Sequence, residues 1–125
     1  MKFPNDLKYT KDHEWVKISG DKAYIGITDF AQSELGDIVF VDVDTIDEEL
    51  EKEQVFGTIE AVKTVSDLFM PISGTIDRFN QKLEDSPELI NQDPYNSGWI
   101  ISISDYDISE LESLLSADEY IKLVQ

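Results

Sequence analysis

Hydrophobic and polar positions alternate in short runs along much of this chain. Residues 14–19 and 22–28 are rich in β-branched and aromatic side chains, which pack well on a pleated surface, so both read as strands. Gly20-Asp21 between them is a two-residue turn of the hairpin type. Thr28 is placed to cap a short helix over Asp29–Leu35, with Gly36 as its stop. Residues 37–43 then return to period two. Ile38, Phe40 and Asp42 alternate with Val39, Val41 and Val43, which predicts a strand with one face in the core.

Residues 44–53 are polar and acidic and read as a loop. Strands flank Lys63 on both sides, and Pro71, Ser73 and Gly74 break the second. A strand resumes over residues 75–79. Residues 80–98 are a long irregular stretch punctuated by Pro87, Pro94 and Gly98, and residues 99–104 alternate again. Near the end, Ser109-Glu110-Leu111-Glu112 and Ser116-Ala117-Asp118-Glu119 both have capping-box spacing and predict helices. Leu111, Leu114 and Leu115 share one helical face, and Tyr120, Ile121 and Val124 nearly do. The pattern predicts a mainly β domain, two sheets or a flattened barrel, with C-terminal helices packed on it.

Composition narrows the function. A chain of 125 residues with 41 % hydrophobic content suits one domain, spanning residues 1–125, with a real core. No apolar run approaches the ~20 residues of a membrane span. Residues 1–6 carry no targeting pattern, so the expected location is the cytoplasm. Cysteine is absent, which removes disulfides, thiolate metal sites and cysteine nucleophiles. The net charge of −17 disfavours nucleic acid and anionic membrane surfaces as partners, because both need Lys/Arg patches. It favours steered encounter with basic surfaces.

One lysine stands out. Lys63 lies between two strands, where the chain must turn. A lysine in a turn is ordinarily only solvated. Here compact Val62 and Thr64 flank it, Glu60 and Asp67 bring carboxylates to either side, and Gly57 and Gly74 bracket it where a sheet could reverse. A tight hairpin tip exposes its lysine to a modifying enzyme, so a swinging-arm carrier is the leading reading. His13, the single histidine, reads as structural, since no nucleophilic serine motif accompanies it. Asp42-Val43-Asp44 with Glu53 fails as a calcium loop, because Ile46 takes a ligand position and Asp47 stands where glycine is needed. Ser66-Asp67-Leu68 fails as an acyl-carrier serine site, because it lies on a strand.

Motifs in order along the chain carry a family resemblance: Tyr9-Thr10, His13-Glu14-Trp15-Val16, Gly26-Ile27-Thr28, Leu35-Gly36-Asp37-Ile38-Val39-Phe40-Val41, Glu60-Ala61-Val62-Lys63, Pro71-Ile72-Ser73-Gly74, Leu89-Ile90-Asn91, Pro94-Tyr95 and Gly98-Trp99. Together they resemble the glycine cleavage H-protein family, over roughly residues 8–123. The resemblance implies a barrel-sandwich hybrid fold of the lipoyl-domain type, with short helices and a C-terminal helical segment. It implies a non-catalytic carrier with (R)-lipoate in an amide bond at Lys63. It further implies an aminomethyl group passed from a decarboxylating glycine dehydrogenase to an aminomethyltransferase, with reoxidation by dihydrolipoamide dehydrogenase. Lipoate-attaching enzymes are implied as well. The family's arm-docking carboxylates match Glu14 and Asp67, expected to hold the loaded arm's ammonium.

Two departures matter. Residues 44–49 replace a turn that usually contains Pro and Gly, so a residue suited to left-handed backbone is missing and a looser loop is expected. Ala61 replaces the family's common serine, two positions before the lysine. Rival readings are a biotin carrier, a lipoate relay or redox-signalling carrier, and an unmodified acidic interaction module. The methionines that typically flank a biotinyl lysine are replaced by Val62 and Thr64. No convergent set of catalytic groups suggests an enzyme.

Overall fold

The computed structural model describes residues 1–125, and its strands form two sheets. They are β1 (Lys8–Tyr9), β2 (Glu14–Ser19), β3 (Lys22–Ile27), β4 (Ile38–Asp42), β5 (Glu49–Leu50), β6 (Val55–Ala61), β7 (Val65–Phe69), β8 (Gly74–Phe79) and β9 (Ile101–Ser104). Six pair in the order β1-β2-β3-β9-β8-β5, and three in the order β4-β6-β7. Val16, Ile25, Ile59, Leu68, Ile76 and Ile103 belong to the core cluster shared by the two sheets, nearly all without solvent contact. Each such aliphatic side chain contributes about 1.5–3 kcal/mol by leaving water. Tyr9, Trp15, Tyr95 and Tyr120 form a second, aromatic cluster with Leu7 and Ala117.

Local chemistry sets most boundaries as the pattern predicts. Gly20, at φ 63°, makes the β2–β3 turn, and Ser19 pairs with Lys22. The Thr28 hydroxyl accepts the Ala31 N–H at 3.1 Å and starts helix α1 (Asp29–Leu35), which ends at Gly36. Ser116 and Glu119 close a reciprocal capping box on the last helix, Ala117–Val124.

Four expectations are corrected. In β4 a bulge falls between Ile38 and Phe40, so Ile38 and Val41 point inward while Val39 and Phe40 face solvent. A bulge adds one residue and breaks the period-two pattern. The acidic stretch 44–53 is not loose. Asp47 itself adopts the left-handed backbone (φ 70°), its N–H donates to the Ile76 carbonyl at 2.8 Å, and β5 pairs with β8. Aspartate tolerates that conformation better than most residues. The irregular stretch 80–98 contains two one-turn helices, α2 (Lys82–Asp85) and α3 (Leu89–Gln92), which makes the final Ala117–Val124 helix α4. Finally, Ser109 caps nothing. Asp107 starts a 3₁₀ turn, Ile108–Ser113, by accepting the Ser109 N–H at 3.0 Å.

Candidate functional site

The hairpin of β6 and β7 places Lys63 at its tip. Glu60 pairs with Val65, and the Ala61 N–H donates to the Thr64 carbonyl at 2.8 Å, leaving Val62, Lys63 and Thr64 exposed. The Lys63 ammonium has no hydrogen bond or ion pair within the chain. The tip itself is held. The Val62 N–H donates to the Asp37 carbonyl at 3.1 Å, and small, buried Ala61 sits opposite Ile38.

Asn91 holds that support, and nothing in its sequence context singles it out beyond the family motif. Its Oδ1 accepts the Ile38 N–H at 3.0 Å, and its Nδ2 donates to the Gly36 carbonyl at 2.8 Å. One amide thereby satisfies both sides of the α1–β4 junction, just where Asp37 anchors the hairpin.

Gly57 and Gly74 are not at chain reversals, contrary to expectation. Gly57 lies inside β6, where an added Cβ would come within 2.5 Å of the Asp42 carbonyl oxygen. Gly74 opens β8 opposite Leu50. Both permit close strand approach. Glu60 and Asp67 stand on the two arms of the hairpin, β6 and β7, and on one face of it. Register puts Phe40, Glu60 and Val65 in one cross-strand row and Asp42, Thr58 and Asp67 in the next, on the same face.

A cleft of about 400 Å³ opens between α1, β2 and the edge strand β7. Phe30, Ile59 and Leu68 give it apolar walls, while Asp12, Glu14, Glu34 and Asp67 bring four acids to it. The structure therefore does bring Glu14 and Asp67 together, in unequal roles. Asp67 is exposed at the rim. Glu14 is only 2 % exposed, so it is no ordinary surface acid. Its carboxyl accepts the Thr10 hydroxyl at 3.2 Å and the Phe69 N–H at 2.9 Å. Burial pushes its pKa up to about 8, against the opposing pull of the Phe69 hydrogen bond. Near neutrality it is therefore largely protonated, and a cation brought into the cleft would favour its ionised form.

His13 lines the same cleft with its backbone at φ 68°. Its Nδ1 lies 2.8 Å from the Tyr120 hydroxyl, which lies 2.8 Å from the Thr28 hydroxyl. Burial lowers its pKa, so it is the neutral ring that ties α4 to the cleft wall. This is the structural role expected of it.

Apolar walls edged by acids suit a ligand that is partly hydrocarbon and carries a cation, and Lys63 stands at the tip of the hairpin whose strand β7 forms one side of this cleft. No group of side chains is arranged to hold a metal ion, and no helix is long and apolar enough to cross a membrane.

Comparison with known proteins points to one family. The family model described as "Glycine cleavage H-protein" matches residues 7–125. The glycine cleavage system H protein of Bacteroides thetaiotaomicron is 55 % identical over 124 residues, covering 99 % of this chain and 98 % of its own. That of Halalkalibacterium halodurans is 52 % identical over 121 residues, covering 97 % and 94 %. The crystal structure of a glycine cleavage system H protein from Mycobacterium marinum superposes with a TM-score of 0.84 at 39 % identity, covering 95 % of this chain and 96 % of that one.

Proposed function

The chain belongs to the glycine cleavage H-protein family, and from that membership we propose that Lys63 is the residue to which its lipoyl group is joined. The protein is a non-catalytic lipoyl carrier of the glycine cleavage system and works with that system's enzymes. One observation carries the assignment of the residue: Lys63 stands with a free ammonium on the anchored tip of the hairpin whose strand β7 lines the acid-edged cleft. When bound, lipoate supplies the redox and group-carrying chemistry, and the protein supplies position and electrostatics.

The roles of the chain's own residues follow. Lys63 Nζ forms the amide. Val62 and Thr64 turn the chain compactly, and the Asp37 carbonyl fixes the direction in which the tip projects. A tether on a fixed base holds its end at roughly millimolar effective concentration near a docked enzyme. Phe30, Ile59 and Leu68 exclude water from whatever enters the cleft. Asp67 at the rim and Glu14 in the wall favour a cation there by charge-assisted hydrogen bonds. The partners on this reading are the decarboxylating glycine dehydrogenase, the aminomethyltransferase and dihydrolipoamide dehydrogenase, with a lipoate-attaching enzyme upstream. The setting is the cytoplasm, where dithiols stay available.

Intact mass tests the assignment. After incubation with lipoate, ATP and a lipoate-attaching enzyme, the wild-type chain gains the mass of one lipoyl group and Lys63→Arg gains none. A wild-type adduct on another lysine, or an undiminished adduct on Lys63→Arg, overturns it. A biotin adduct on the protein taken from its cells would favour the biotinyl reading instead.

A further inference from the structure

The two tryptophans of this chain, Trp15 and Trp99, line one cavity of about 440 Å³ on the outer face of the six-stranded sheet. Strands β2 and β3 build its floor. Trp15 pairs with Gly26 and Lys17 with Tyr24, so these four share the face turned away from the core residues Val16 and Ile25. A Cβ at Gly26 would come within 2.7 Å of the Trp15 ring, so the glycine lets the indole lie across β3. Residues 95–99 form the other side, with Tyr95 and Trp99. Trp99 meets the Tyr24 ring edge to face at 5.1 Å between centroids, and the Arg78 guanidinium sits 5.9 Å from the Trp99 ring centre. The aromatic wall is therefore held in place by its own neighbours.

We propose that this cavity is a second binding site, for a planar aromatic or heteroaromatic ring that carries one carboxylate or phosphate. It shares no lining residue with the cleft between α1, β2 and β7, and the proposal does not rest on the reading of Lys63. The polar ends of the rings are already engaged. The Trp15 indole N–H donates to the Pro94 carbonyl at 3.0 Å, and the Tyr95 hydroxyl donates to the Lys2 carbonyl at 2.6 Å. The Tyr24 hydroxyl accepts from Arg78 at 3.3 Å. What the wall offers a ligand is ring faces and edges, which favour offset or edge-to-face contact with another ring. The volume lies within the range of about 300–1,000 Å³ typical of small-molecule sites.

The anionic group follows from charge. Lys17 is the one charged side chain in the lining, exposed and without an ion pair within the chain. No carboxylate lines the cavity, although the chain has 27 acids, whereas four of them edge the other cleft. The same sheet carries Lys22 and Arg78, paired with Asp77 at 3.3 Å and 3.8 Å. The charge of −17 repels anions mainly at long range, where salt screens it beyond about 8 Å at physiological ionic strength. A ring against the aromatic wall, with its anion on the Lys17 ammonium, uses both chemistries that the cavity holds. Ser19 and Asn96 add hydrogen-bonding side chains to the lining.

The test titrates the full chain with indole-3-acetate and with AMP, followed by proton–nitrogen correlation NMR. The neutral counterparts indole and adenosine are titrated alongside. The indole N–H signal of Trp99 and the backbone signals of Lys17 and Tyr24 should shift saturably with at least one anion, with a Kd of about 1 mM or tighter. Those of Val62 and Asp67 should stay in place. The tighter anion tells carboxylate from phosphate. Its neutral counterpart should bind about tenfold more weakly, Lys17→Gln should weaken the anion by a similar factor, and Lys17→Arg should restore it. Lys17 is exposed, so the fold survives both substitutions. No saturable shift with either anion, shifts centred on Val62 and Asp67, a neutral counterpart that binds as tightly, or wild-type affinity in Lys17→Gln overturns the proposal.

Discussion

The carboxyl of Glu14, on β2, accepts the backbone N–H of Phe69, on β7, at 2.9 Å and so bridges the two sheets. The bridge sits in the wall of the cleft, and burial raises the Glu14 pKa from 4.5 to about 8. The folded chain therefore binds more protons than the unfolded chain between those values. Stability contributed by this group is fully present below pH 4.5 and is lost as pH rises toward 8. Urea midpoints for wild type and Glu14→Gln, taken at pH 5 and pH 8.5, check this. Wild type should lose more stability across that interval than the variant, which has no proton to release. The comparison also cancels the general repulsion of a chain at −17.

Asp67 lies at the exposed rim and makes no contact on which folding depends. Asp67→Asn should leave the melting temperature within about 1 °C of wild type, as surface changes usually do. The same variant should shorten the lifetime of the aminomethyl-loaded carrier by several-fold, on the order of one charge-assisted hydrogen bond. Release of ammonia and formaldehyde from the isolated loaded protein measures this. An unchanged lifetime would remove Asp67 from the docking role.

Gly57 has no room for a methyl group against the Asp42 carbonyl. Gly57→Ala should push β4 away from β6 and cost about 1–3 kcal/mol, the usual range for overpacking. Chemical denaturation reads the loss. A neutral outcome would mean that β4 is not held tightly against the hairpin.

Asn91→Ala leaves the Ile38 N–H and the Gly36 carbonyl without their side-chain partners. The expected loss is about 1–3 kcal/mol. Because the same junction anchors Val62 through Asp37, amide exchange at Val62 should accelerate more than at Tyr24, in β3 of the six-stranded sheet. Hydrogen exchange followed by NMR resolves the two sites.

Much of this protein is legible in its sequence because its signals are local. The Gly20 turn, the Thr28 cap, the Gly36 stop and the Ser116–Glu119 box each depend on a few adjacent residues and side-chain groups that satisfy nearby backbone. The strands flanking Lys63 follow from side-chain alternation, and the family motifs single out Lys63, Glu14 and Asp67. Local signals thus name most elements and their order, and the family resemblance points to Lys63 as the proposed attachment residue.

Tertiary structure decided the rest, because it depends on partners distant in the chain. The bulge in β4 exists only against β6, and it reverses the exposure of Val39 and Phe40. Residues 49–50 become a strand because β8 offers them an edge, although their composition is that of a loop. The family resemblance marks Glu14 among 27 acids, but its protonation is set only when β7 closes over it and desolvates it. Local propensity can name a residue. Only packing sets its solvation, its neighbours and hence its charge.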